Sequence, residues 1–179
     1  STLGLAWSDR TYQNERSYKT ENMYTTISYR LPGEDGVEDL GMGEAKDEQV
    51  QSDVNWVAFR QQFFSQAFIA YNFAYADMGY TAEPDGSGFV KQFSSRMGVE
   101  YTPQTTEYHF GLYCGPNKYA VLKDVVSPDG EKLSMERLIP LGGWLVGWFN
   151  RWIVIPVFDF LSKYISSFGV IILILTVLV

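Results

Sequence analysis

The sequence predicts a mainly β protein, an antiparallel twisted β-sandwich, on three observations. Short runs rich in β-branched and aromatic residues recur through residues 1–137. Turn-forming residues separate them, at Pro32-Gly33, at Pro84-Asp85-Gly86-Ser87-Gly88 and at Ser127-Pro128-Asp129-Gly130. No internal repeat is visible, and the first thirty residues alternate polar and apolar side chains without helical phase. Strands of that kind bury one face each and return through tight turns, which is the logic of a sandwich. The aromatic content of 16% then serves chiefly to fill the core. A sugar-stacking surface is the lesser alternative.

Residues 23–30 (Met-Tyr-Thr-Thr-Ile-Ser-Tyr-Arg) read as a strand closed by Pro32-Gly33. Residues 33–52 are acidic and glycine-bearing, so they read as an exposed connection with room for a short edge strand over 37–42. Residues 55–70 (Asn-Trp-Val-Ala-Phe-Arg-Gln-Gln-Phe-Phe-Ser-Gln-Ala-Phe-Ile-Ala) are densely aromatic. Trp56, Phe59, Phe63 and Ala67 fit a helical stripe there, whereas Val57, Phe59, Gln61 and Phe63 fit strand alternation only partly, and periodicity leaves both open. Residues 79–93 place two strands around the Pro84 turn, and residues 105–113 alternate again. Residues 116–124 read as a short helix with Pro116 in its first turn, where a missing N–H does no harm.

Charge is unevenly divided. Residues 1–137 hold 12 Lys/Arg against 20 Asp/Glu, while residues 138–179 hold only Arg151, Lys163 and Asp159. An acidic surface argues against nucleic acid as a partner, because phosphate recognition needs clustered cations. It fits the outer side of a membrane, since basic residues concentrate on the cytoplasmic side. Cys114 is the single cysteine, so no intrachain disulfide forms. Neither Cys114 nor the single His109 has neighbours at metal-ligand spacing, so no metal site is expected. Gly41-Met42-Gly43-Glu44-Ala45-Lys46 lacks phosphate-loop spacing, and no carboxylate pair stands out. The reading is no enzyme and no cofactor. The chain starts Ser-Thr-Leu-Gly-Leu-Ala-Trp, so any signal or anchor is expected upstream.

The C-terminal forty residues carry the strongest signal. Trp144, Trp148 and Trp152 sit four residues apart, with Phe149 among them. Indole rings favour the water–lipid boundary. Residues 156–167 (Pro-Val-Phe-Asp-Phe-Leu-Ser-Lys-Tyr-Ile-Ser-Ser) place Asp159, Ser162, Lys163 and Ser166 on one helix face, with Val157, Phe160, Leu161 and Tyr164 opposite. Asp159 and Lys163 form a favourable i,i+4 pair. That pattern predicts an amphipathic helix lying in the membrane interface, with Gly169 allowing a bend into lipid. Residues 168–179 (Phe-Gly-Val-Ile-Ile-Leu-Ile-Leu-Thr-Val-Leu-Val) have Thr176 as their only polar side chain. A membrane span needs roughly twenty such residues, so the chain reads as a fragment cut just inside its membrane segment. The expected layout is a β domain over 1–137, a Trp-rich membrane-proximal segment over 138–169, and the start of a transmembrane helix over 170–179.

These residues resemble a known family. Gly143-Trp144, then Ile155-Pro156-Val157-Phe158, then Phe168-Gly169-Val170-Ile171-Ile172-Leu173 look like the point where YidC-type membrane protein insertases enter the bilayer. Trp56-Val57-Ala58-Phe59-Arg60-Gln61-Gln62-Phe63-Phe64 resembles that family's periplasmic Trp-Val-Ala…Gln-Gln-Tyr/Phe-Phe block, and Leu112-Tyr113-Cys114-Gly115-Pro116 its later strand ending in Gly-Pro. The variety looks like that of Bacteroides-related bacteria. The resemblance implies a periplasmic domain on the bacterial inner membrane, forming part of a mutarotase-like super-sandwich whose early strands precede this chain. It implies that the block around residues 56–69 is a strand. It further implies insertion and folding of inner-membrane proteins, alone or with the Sec translocon, and contact with SecD/SecF, membrane lipid and nascent membrane proteins. The family's groove carries a basic residue in the helix that begins here at Val170, and none appears before Val179, so the fragment itself is expected to be insertion-incompetent. A membrane-tethered carbohydrate-binding sandwich is the alternative.

Overall fold

The computed structural model describes residues 2–34, 36–104, 107–140, 150–165 and 167–178. They form two compact units, Ser1–Ile139 and Pro140–Val179.

The first unit is an antiparallel β-sandwich. Its strands are β1 (Thr2–Tyr12), β2 (Thr26–Arg30), β3 (Glu38–Asp39), β4 (Ala45–Val50), β5 (Val54–Arg60), β6 (Phe64–Phe73), β7 (Tyr75–Ala82), β8 (Phe89–Glu100) and β9 (Phe110–Pro116). One sheet has the order β1-β8-β7-β4 and the other β3-β2-β5-β6-β9. The pairings are antiparallel throughout these sheets. Alternation sends Val57 and Phe59 of β5 inward, against Phe93 and Met97 of β8 and Met78 of β7. Phe59 stacks on Trp7 at 3.8 Å between ring centroids and lies 4.9 Å from Phe93. These rings fill the space between the sheets.

A second apolar layer lies on the outer face of the five-stranded sheet. Trp56, Ala58, Ala67 and Ile69 are covered there by Leu122, Leu133, Met135 and Leu138. The covering strap holds helix α2 (Tyr119–Leu122) and a 3-10 turn (Met135–Leu138). Three side chains of the sheet hook its backbone. The Trp56 indole N–H donates to the Leu133 carbonyl at 3.0 Å, Arg30 to the same oxygen at 2.7 Å, and Arg60 to the Leu138 carbonyl at 3.1 Å. A sheet buried on both faces loses its polar alternation. That is why residues 55–70 carried no clean period.

Several boundaries differ from the sequence reading. Met23 and Tyr24 end a helix, α1 (Tyr18–Tyr24), and the strand begins only at Thr26. The short edge strand expected over 37–42 is β3, but the connection 33–52 also contains all of β4. The block 55–70 is two strands joined at Gln61-Gln62-Phe63 rather than one. Strand β9 starts at Phe110, later than residues 105–113 suggested, and Pro116 ends that strand instead of opening a helix. Helix α2 begins at Tyr119, after Lys118 at its cap, because Asn117 is drawn into the hairpin contacts described below.

Helix α1 is short and is held by a local cap, by a buried carboxylate of its own and by one tertiary cation. Ser17 caps its start, and the buried Glu21 carboxylate accepts from the backbone N–H groups of Asn14 and Glu15 at 3.0 Å. At its other end the fully buried Lys91 ammonium donates to the Thr25 carbonyl at 2.6 Å and sits 4.0 Å from the Tyr80 ring centroid. The carbonyl end of a helix favours a cation, but loss of water disfavours the charge. Burial therefore pushes the Lys91 amine down to about 8. The unfolded chain keeps that proton up to the ordinary lysine range, so it binds more protons than the folded chain between pH 8 and 10. Stability should rise across that window by roughly 2 kcal/mol. Lys91→Met should flatten the rise, as read by urea midpoints at pH 7.5 and 9.5. A wild-type chain equally stable at both would refute the assignment.

In the second unit a π-helical turn (Asn150–Val154) runs into α3 (Ile155–Ser162), with Pro156 in its first turn. The helix stops at Ser162, short of the expected residue 167. Tyr164 and Ile165 donate their N–H groups to the Leu161 carbonyl at 3.0 and 2.8 Å and close the turn. Helix α4 (Phe168–Leu178) follows, with Gly169 inside it, so the break between the two helices falls before Gly169 and not at it. The Thr176 hydroxyl donates to the Ile172 carbonyl at 2.8 Å, so its polarity is satisfied within the helix. Among the described residues no helix is long and apolar enough to cross a membrane.

Candidate functional site

Two of the stretches that carried the family resemblance, 56–64 and 112–116, lie about fifty residues apart, and the fold brings them together. In the β6–β9 ladder Phe64 faces Pro116 and Ser65 faces Gly115. Gln61, Gln62 and Phe63 form the turn between β5 and β6, beside the end of β9. That turn contains no Gly, Pro, Asn or Asp to set its geometry. Asn117 supplies the geometry instead. Its backbone N–H donates to the Phe63 carbonyl at 2.7 Å, and its amide donates to the Gln61 and Gln62 carbonyls at 2.8 and 3.3 Å. Ser65 donates to the Asn117 side-chain oxygen at 2.7 Å. Asn117 was missed from the sequence, where nothing links it to a turn fifty residues earlier.

Gly115 is fixed by its neighbour. Tyr113, two residues back on the same face of β9, lays its ring across Gly115 and donates its hydroxyl to the Pro116 carbonyl at 2.7 Å. A Cβ at residue 115 would meet the Tyr113 ring and hydroxyl within 3 Å. Burial raises the Tyr113 phenol above its ordinary value, so it stays a donor in neutral solution.

Trp56, the other motif residue, is fully buried and serves the strap. Phe63 and Phe64 are 53% and 58% exposed, which is unusual for two adjacent phenylalanines. Arg60 ends β5 just before them. It pairs with Asp39 at 3.2 Å while holding the Leu138 carbonyl, so the strap leaves the first unit next to the hairpin turn. Arg60→Met should cost about 1–2 kcal/mol. Amide exchange should also quicken at residues 135–139; unchanged exchange there would mean that Arg60 does not clamp the strap.

The membrane-interface residues read from the sequence lie in the second unit. Trp144, Trp148 and Phe149 fall outside the described residues. Trp152, Phe160 and Tyr164 are 67%, 59% and 76% exposed, and Val157 and Leu161 are half-buried. The Phe160 and Tyr164 rings lie 5.2 Å apart on one side of α3. In α4, Val170, Ile172 and Leu173 are exposed. This is a helical segment presenting aromatic and aliphatic side chains outward.

The outer face of the four-stranded sheet bears a groove of about 470 Å³, lined by Ala6, Ser8, Asp77, Ser94 and Arg96 among others. Trp7 borders it, but its ring is stacked on Phe59 in the core, so it offers a sugar no stacking platform there. Among the described residues no three metal-ligating side chains converge.

The comparisons agree with the geometry. The family model described as YidC periplasmic domain matches residues 4–159. A protein named membrane protein insertase YidC from Bacteroides fragilis is 36% identical over 181 residues, covering 99% of this chain and 29% of that protein. Namesakes from Phocaeicola vulgatus and Parabacteroides distasonis are 35% and 34% identical, each covering 100% of this chain and 29% of the relative. The chain thus spans under a third of the length of these curated relatives. With the match running through both the hairpin motif and the helical segment, the chain belongs to the YidC periplasmic-domain family and is the periplasmic part of an inner-membrane protein.

Proposed function

We propose that this chain is the accessory periplasmic domain of a membrane protein insertase, joined to the segment that leads the polypeptide into the bilayer. The whole protein would insert and fold inner-membrane proteins, alone or beside the Sec translocon. Nascent membrane proteins would be its substrates, and SecD/SecF would be partners of this domain. The layout follows the sequence reading: a β domain over 1–137, a membrane-proximal segment over 138–169 and the start of a span from residue 170. The observation that carries the reading is α3 followed within six residues by α4, whose eleven residues hold no charge. Such a pair suits an interfacial helix leading into lipid. No step requires a cofactor or turnover by this domain.

Vesicle co-flotation of the chain tests the membrane part. Binding to phosphatidylethanolamine–phosphatidylglycerol vesicles is expected, and a chain that stays in the aqueous layer would end the interfacial assignment. The partner part is tested by photo-crosslinkers placed on exposed strand positions in the full-length protein. They should trap accessory Sec subunits in inner-membrane vesicles.

A further inference from the structure

We propose that the β5–β6 hairpin turn, with Phe63 and Phe64, is a second membrane contact, which docks the sandwich end-on against an anionic lipid surface. The proposal rests on the reading that residues 150–178 engage the bilayer, and it adds a site in the first unit.

Three observations converge on that end of the sandwich. The first is exposure. Phe63 and Phe64 stand more than half open to solvent, and Val121 of α2, in the segment following Asn117, is 40% exposed. The second is rigidity. The turn is tied by the Asn117 hydrogen bonds and by the Gln61 N–H donating to the Phe64 carbonyl at 2.9 Å. Rings held out by a fixed backbone lose little entropy on entering an interface. The third is connectivity. Arg60 grips the Leu138 carbonyl beside this turn, so the first unit, which ends at Ile139, has its last residues at this end of the sandwich.

Charge selects lipid as the occupant. Residues 54–76 and 108–123, which hold β5, β6, β9 and α2, contain no Asp or Glu. All twenty carboxylates of residues 1–137 lie elsewhere. The same stretches hold the exposed Lys118 and Lys123, which flank α2, while Arg60 is already paired with Asp39. The carboxylates nearest this end are Asp39, which is paired with Arg60, and Asp124, which follows Lys123, so an anionic leaflet meets less uncompensated negative charge here than along the acidic stretches of the domain. Each lysine near such a surface adds about 1 kcal/mol of attraction, and aromatic rings settle at the headgroup level.

The test uses the whole chain with Cys114→Ser as background, so that a single new cysteine carries an environment-sensitive nitrobenzoxadiazole dye. Phe63→Cys puts the dye on the hairpin. Ser52→Cys puts it in the loop before β5, at the far end of the same strand. On adding phosphatidylethanolamine–phosphatidylglycerol vesicles, the residue 63 dye should shift to the blue and be quenched by shallow spin-labelled lipid, while the residue 52 dye should not change. In a second variant, Phe63→Ser with Phe64→Ser, vesicle affinity should fall about tenfold. If the chain floats with vesicles but the residue 63 dye stays in water, the hairpin contact is wrong and the helical reading stands. Equal shifts at both positions would also overturn the contact. A chain that does not float at all would overturn both.

Discussion

Trp56→Ala should destabilise the first unit by about 3–5 kcal/mol and lower its melting temperature by roughly 10 °C or more. Trp56 is fully buried in the layer between the five-stranded sheet and the strap. Truncation removes a large ring from a site whose walls are a strand ladder on one side and Leu122, Leu133, Met135 and Leu138 on the other. Neither wall can collapse far. Trp56→Phe separates packing from hydrogen bonding. It keeps most of the ring volume but removes the donor to the Leu133 carbonyl, which still accepts from Arg30 at 2.7 Å. That variant should lose only about 1–2 kcal/mol. Urea or thermal unfolding of both variants measures the difference. A Trp56→Ala loss below about 1 kcal/mol would mean that the strap is not part of the cooperative unit.

Ile172→Asp should weaken vesicle binding of the chain by about a hundredfold. Ile172 is 57% exposed on α4, in a helix with no charged side chain. A carboxylate in mid-membrane costs about 3 kcal/mol on the insertion scale, and 1.4 kcal/mol is a factor of ten. The substitution leaves the sandwich untouched, so its melting temperature should not move. Ser167→Asp, one residue before α4, is the matched control. It adds the same charge at a helix N-terminus, where carboxylates are favourable, and should change binding little. If Ile172→Asp floats like the parent chain, α4 is not what holds the protein to lipid.

The two units differ in how much of their structure is local. In the helical segment the existence of the two helices over 155–162 and 168–178 was legible, because Pro156, the amphipathic spacing and the uncharged run to Leu178 are properties of neighbouring residues. The departures there are small: α3 ends at Ser162, and the break between the helices precedes Gly169. In the sandwich, turns with their own chemistry were legible too. Residues 84–88 separate β7 from β8, and Gly86, Gly88 and Gly130 adopt the positive φ that such turns require. The β5–β6 turn has no such chemistry, since its backbone is set by Asn117 from across the sheet. Its two strands therefore read as a single aromatic block.

The sequence by itself determined the fold class, the division between an acidic β domain and an apolar helical segment, and the family. Each of these follows from composition, short-range period or motif identity. Tertiary structure alone decided that the five-stranded sheet is covered on both faces, that Glu21 and Lys91 hold α1 from its two ends, and that Gln61, Phe63, Gly115 and Asn117 form one site. The reason is physical. Most of these contacts, such as Lys91 with Thr25, Trp56 with Leu133 and Asn117 with Gln61, join residues more than fifty positions apart and leave no mark on local period, because either partner alone is compatible with many surroundings.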